Sequence, residues 1–194
     1  MLSIGHIQRN IPEHFSVPNL VLLAGAGQNV GKTSFAVSII HRLKKLGYQV
    51  YGLKITPHFH HSNPENLIIQ KEGFQISLEK KTDGIKDSSR MFDAGADEVF
   101  FVQINSDIAL PEAFDFVYRM ADEKVLWVCE SGGLRTFVDP GLFLYFKMKG
   151  QEPQKDSAKK LMPLADKIVN FDGAVFDFSP EQIGVEEYRF KILK

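Results

Sequence analysis

Cysteine is almost absent from this 194-residue chain. The single one, Cys129, excludes an internal disulfide, and a lone Cys within an apolar run reads as a small core residue in a reducing compartment. Long hydrophobic runs are lacking too. Nothing approaches the roughly twenty consecutive apolar residues of a membrane helix, and the opening MLSIGHIQRNIPEHF has no apolar stretch of the kind a secretion signal needs. The expectation is a cytoplasmic protein with no membrane partner. Neither sign of charge predominates: Lys and Arg number 23, Asp and Glu 24, for a formal net charge of −1. Bulk electrostatics therefore give no reason to expect a nucleic-acid partner, and any anion has to be caught by a local arrangement. With no internal repeat and no low-complexity linker, the length suits a single domain over residues 1–194.

What is present is an alternation of short apolar runs with helical periodicity. Residues 19–24 (NLVLLA) run into glycines, apolar residues recur at helical spacing from 32 to 46 until Gly47 ends the helix, and 49–55 (QVYGLKI) reads as a strand. Strand, glycine loop, helix and strand in that order open a parallel α/β fold. Residues 67–78 alternate apolar and polar on both sides of Glu72-Gly73, the pattern of a small β-hairpin insertion at about 67–79. Helical spacing returns at 88–94, followed by a strand at 98–102, a helix near 111–121 and a strand at 124–129 (KVLWVC). The tail reads as a helix at 157–164, short strands at 167–169 and 174–176, and a last strand at 188–192. The segment 147–160, with its Gln, Lys, Gly and Pro, reads as a mobile loop.

Residues 26–33, AGQNVGKT, carry the GxxxxGK[ST] pattern of a phosphate-binding loop with alanine in place of the first glycine. Such a loop turns successive backbone N–H groups inward around a phosphate, and the helix that follows adds the positive end of its dipole. Gly27, Gln28, Asn29, Val30, Gly31, Lys32, Thr33 and Ser34 are the candidate nucleotide-binding residues. Lys32 would reach the outer phosphates and Thr33 would offer its hydroxyl to Mg²⁺. The ligand is ATP or GTP; no NKxD motif is present to read guanine.

The stretch 30–54, VGKTSFAVSIIHRLKKLGYQVYGLK, resembles the SIMIBI branch of P-loop NTPases that includes dethiobiotin synthetase, the cobyrinic acid amide synthases and MobB of molybdopterin guanine dinucleotide biosynthesis. Its mark is Lys54, which closes the second strand. KITPHFHH (54–61) and KDSSRMFDAGADEV (86–99) resemble MobB in particular. The resemblance covers residues 20–141 and implies a three-layer α/β/α P-loop NTPase with a mostly parallel sheet, slow Mg²⁺-dependent NTP hydrolysis, a molybdenum-cofactor biosynthesis protein as partner, and a homodimer. It places Lys54 beside the terminal phosphate or the substrate, Asp87 near the magnesium or the attacking water, and Arg90 in the same cleft. Glu130, followed by SGGLR, resembles the EGAGG segment of dethiobiotin synthetase and implies a second acid below the γ-phosphate. Lys32, Lys54, Asp87 and Glu130 are thus the candidate catalytic residues, and Thr33, Asp87 and Glu130 the candidate metal ligands. Asn170, in Asn-Phe-Asp, resembles the base-reading asparagine of the dethiobiotin synthetase branch, and a turn explains it equally well.

His58, His60 and His61 crowd one loop. Close imidazoles could bind a transition metal, contact a substrate or phosphate, or stand as ordinary loop residues; the spacing fits no standard zinc site. His6 and His14 carry no case. Two further functions stay open: an ATP-dependent ligase of the dethiobiotin synthetase type, for which ESGGLR speaks, and a nucleotide-switched binding module that presents the hairpin to a protein partner.

Overall fold

Long apolar strands need cover on both faces, and this chain supplies it from helices of opposite sides. A computed structural model describes residues 14–59, 64–79 and 86–193; His6, His60 and His61 lie outside them. In chain order the elements are β1 (Phe15–Gly25), α1 (Lys32–Lys45), β2 (Val50–Thr56), β3 (Leu67–Lys71), β4 (Phe74–Leu78), α2 (Asp87–Asp93), β5 (Glu98–Ile104), α3 (Leu110–Tyr118), β6 (Leu126–Glu130), β7 (Val138–Met148), α4 (Asp156–Leu161), β8 (Lys167–Phe171), β9 (Ile183–Glu186) and β10 (Arg189–Ile192).

Eight strands form one sheet in the order β3-β4-β5-β2-β6-β1-β7-β8. From β5 to β8 every pairing is parallel, and β3 and β4 are antiparallel. Alternation along β1 shows how the layers are held: Val21 and Leu23 pack with Phe35, Ile39 and Leu43 of α1, while Leu20 and Leu22 join the cluster of Phe114 and Val117 of α3. Full burial of each such side chain contributes about 1.5–3 kcal/mol. The fold is therefore α/β with a mostly parallel sheet between two helical layers, α1 and α2 on one face and α3 and α4 on the other. Among the described residues no helix is long and apolar enough to cross a membrane.

The hairpin stands at its expected place as β3 and β4, and β4 pairs with β5 so that it extends the main sheet to its edge. Three other expectations need correction. An eleven-residue strand, β7, runs through 138–148, where none was foreseen, and flanks β1 for almost its whole length. The segment 147–160, read as a loop, ends β7 at one side and contributes most of α4 at the other. Residues 174–176 form no strand, only a bridge between Phe176 and Phe171. The last strand expected at 188–192 is β10, and it pairs with β9, which was not expected; Ile183 and Phe190 of this pair pack on the α1 side.

Candidate functional site

The glycine-rich loop leaves β1 at Gly25 and enters α1 at Lys32. Gly31 turns the chain into the helix at φ 82°, in the left-handed region that a side chain disfavours. The Phe35 N–H donates 3.0 Å to the Gly31 carbonyl to start the helical ladder. The N–H groups before it have no carbonyl partner within the helix. No acidic residue of α1 itself stands in its first turn, so negative charge at its positive end comes from other elements.

Beyond this end lies a cavity of about 710 Å³. It is bounded by the loop, Lys54 near the end of β2 and His58 just after it, Asp87 and Arg90 of α2, Glu130 at the end of β6 with Ser131 and Gly132 after it, Lys155 just before α4 and Ser157 within it. Sheet order explains the meeting of distant residues. β2 and β6 are neighbours with Lys54 opposite Glu130, and Leu23 at the end of β1 is also opposite Glu130.

At the centre four side chains close a ring. The Lys54 ammonium donates to Asp87 Oδ2 and to Glu130 Oε1, both at 2.7 Å. Thr33 Oγ1 lies 2.9 Å from Asp87 Oδ1 and 2.9 Å from Glu130 Oε2. A hydroxyl carries one hydrogen, so Thr33 donates to one carboxylate at a time and the other approach is oxygen to oxygen. Glu130 is buried and Asp87 half-buried. Burial would push the Asp87 carboxyl up, but hydrogen bonding and charge from Lys54, then Thr33 and Arg90, hold it below its ordinary value. Lys54 is raised: burial pulls it down, and the Glu130 and Asp87 carboxylates outweigh that. Lys32 goes the other way, lowered by burial and by Lys54 against the pull of Glu130 and Asp87. Its ammonium folds back to donate 2.6 Å to the Gly27 carbonyl.

Gly27, Gln28, Asn29, Gly31, Lys32, Thr33 and Ser34 all line the cavity, with Asn29 in the left-handed region at φ 59°. Val30 is buried and packs with Phe35 and Phe146 in the α1-side core instead. Arg90 reaches the cavity as expected and donates 3.1 Å to Ser34 Oγ. Asn170 does not line it: its amide nitrogen donates 2.6 Å to Asp177 Oδ2, and the neighbouring Phe171 faces the cavity in its place. Sequence reasoning missed Phe171, Lys155 and Ser157. The helical pattern at 157–164 was readable, but nothing in it pointed toward the glycine loop. Among the described residues no group of three His, Cys, Asp or Glu is placed to hold a metal ion, so the polar centre is an acid pair with a hydroxyl. No protein-family model and no curated protein matches the chain.

Proposed function

We propose that this chain is a P-loop protein that binds ATP or GTP with Mg²⁺, hydrolyses it slowly, and serves as MobB does in molybdopterin guanine dinucleotide biosynthesis. The observation that carries the nucleotide reading is the Thr33 hydroxyl within 2.9 Å of both the Asp87 and the Glu130 carboxylates at the start of α1. This donor set fits Mg²⁺, a hard cation that prefers oxygen ligands and retains several waters. Thr33, Asp87 and Glu130 would hold it. Bound there, the ion would neutralise charge on the phosphate oxygens.

The other roles fall to the chain. Backbone N–H groups from Gly27 to Ser34 would wrap the phosphates, and Lys32 would leave the Gly27 carbonyl for their outer oxygens. Lys54 would turn from its two acids toward the terminal phosphate. Asp87, the more exposed acid, would orient the attacking water. Arg90 lines the same cavity, hydrogen-bonded to Ser34, but no residue is assigned as an arginine finger, and slow turnover is expected. The MobB assignment and its molybdenum-cofactor partner rest on the two segments that supply Lys54, Asp87 and Arg90, and a homodimer rests on the resemblance to the wider branch. A ligase of the dethiobiotin synthetase type is the second reading, favoured by the cavity's extension to Ser131, Gly132 and Lys155, where a carboxylate co-substrate has polar walls.

Thermal unfolding of wild type and Lys32→Ala, with ATP, GTP or neither and with or without Mg²⁺, tests the proposal. A nucleotide at about a hundred times its Kd adds about 2.7 kcal/mol to wild-type stability, and the variant should show little of it. Phosphate released with no carboxylate added selects hydrolase over ligase. No shift in the wild type with either nucleotide would overturn the nucleotide reading.

A further inference from the structure

Beside the polar centre, the cavity has one aromatic wall. Phe171, the last residue of β8, lines it and is half-buried. Its ring stacks on Phe176 with centroids 4.7 Å apart and planes at 27°. Phe176 is itself wedged edge-on against Phe35 at 5.1 Å and Phe146 at 6.1 Å. The pair abuts the glycine loop: a methyl built on Gly31 would stand 2.5 Å from the Phe176 ring and 3.4 Å from the Phe171 ring. A flat, propped apolar face thus adjoins the start of α1, where the N–H groups are open to an anion. Bare polyphosphate has no use for such a face, whereas the base of a nucleotide does.

The polar side chains flanking Phe171 are engaged elsewhere. The Asn170 amide nitrogen donates to Asp177, and the Asp172 carboxylate closes a turn by accepting the N–H groups of Ala174 at 2.9 Å and Val175 at 2.8 Å. Resting on the nucleotide reading above, we propose that Phe171 is the base-binding residue: it stacks on the nucleobase, and because a ring face is offered rather than a hydrogen-bonding edge, adenine and guanine nucleotides are held alike. Asn170 acts only to fix the turn after β8 through Asp177.

Isothermal titration of wild type, Phe171→Ala, Phe171→Trp and Asn170→Ala with ATP, GTP and inorganic tripolyphosphate, all with Mg²⁺, tests this. The wild type should hold ATP and GTP within about threefold of each other and bind both about tenfold or more tighter than tripolyphosphate, while Phe171→Ala loses that margin for both nucleotides and Phe171→Trp retains it. Tripolyphosphate affinity should not change in either variant. If Phe171→Ala weakens tripolyphosphate as much as ATP, the ring only props the loop and the assignment is wrong. It is also wrong if wild type prefers one base by more than about threefold, the more so where Asn170→Ala abolishes that preference. Tripolyphosphate binding without any gain from the base sinks this inference alone; no binding of any of the three sinks the nucleotide reading with it.

Discussion

Lys54 occupies the position where the two acids of the site converge, 2.7 Å from each. Its removal leaves Asp87 and buried Glu130 facing each other with only Thr33 between them. Glu130 is almost fully enclosed, but Asp87 keeps about 41% of its side chain exposed, so solvent screens much of the repulsion. Lys54→Met is expected to cost on the order of 1–2 kcal/mol at neutral pH. The direction with pH follows from the shifts. Asp87 sits below its ordinary 3.8, so its pairing stabilises the fold above that pH and is lost as pH falls through the lower folded value. Lys54 sits above its ordinary 10.5, so its share is complete below that pH and is lost as pH rises through the higher folded value. The gap in Tm between wild type and Lys54→Met should therefore be widest in the neutral range and close in strong acid. Millimolar Mg²⁺ without nucleotide should stabilise the variant more than the wild type, in which the ammonium already stands between the carboxylates. A gap that stays constant from neutral pH down to pH about 3 would mean the ring contributes by packing and not by charge.

At the scale of elements, the join between β1 and α1 depends on one glycine. Gly31→Ala combines a left-handed backbone, costing about 1–2 kcal/mol for an L side chain, with a methyl 2.5 Å from the Phe176 ring. Thermal melts should show a fall of several degrees, at about 2–4 °C per kcal/mol for a chain of this size. Gly27→Ala is the control, since a methyl there meets nothing within 4 Å and should change stability by less than about 0.5 kcal/mol. Equal melting of the two variants would refute the account. The β1–α1–β2 unit was legible because its period shifts from run to helix to run at glycines, and Gly31 and Gly47 both take positive φ as those boundaries require. β7 was hidden by Asp139-Pro140-Gly141, which reads locally as a turn. The strand passes straight through, at the point where its register with β1 shifts between Val17 and Val21 and Gly141 lies against the Pro18 carbonyl, leaving no room for a side chain. Proline and glycine fit a strand at such an irregularity. The close approach belongs to a contact over a hundred residues apart, which no local pattern encodes.

Across the whole molecule the site is a consequence of sheet order. Thr33 reaches Asp87 over 54 residues of sequence and Glu130 over 97, and Lys54 reaches Glu130 over 76, because β1, β2 and β6 end side by side. The sequence made the residue types readable one at a time; their convergence, and Phe171 across from them, came only with the order of strands. A ligand that bridges the ends of central strands binds the native state and not the unfolded chain, so it opposes global unfolding, whereas the β3–β4 hairpin sits at the sheet edge and β3 keeps no buried residue. Hydrogen exchange should separate the two. Amides of β1, β2 and β6 are expected to exchange only through global unfolding and to slow with Mg²⁺ and nucleotide by the same factor as the gain in overall stability, because ligand linked to the native state shifts every globally exposed amide alike. Amides of β3 open locally, with the site intact, and should exchange at the same rate with and without ligand. If nucleotide slows β3 as much as β6, the hairpin and the site unfold as one unit and the edge strand is coupled to ligand binding; if it slows only the loop at 25–31, binding does not draw on the central strands at all.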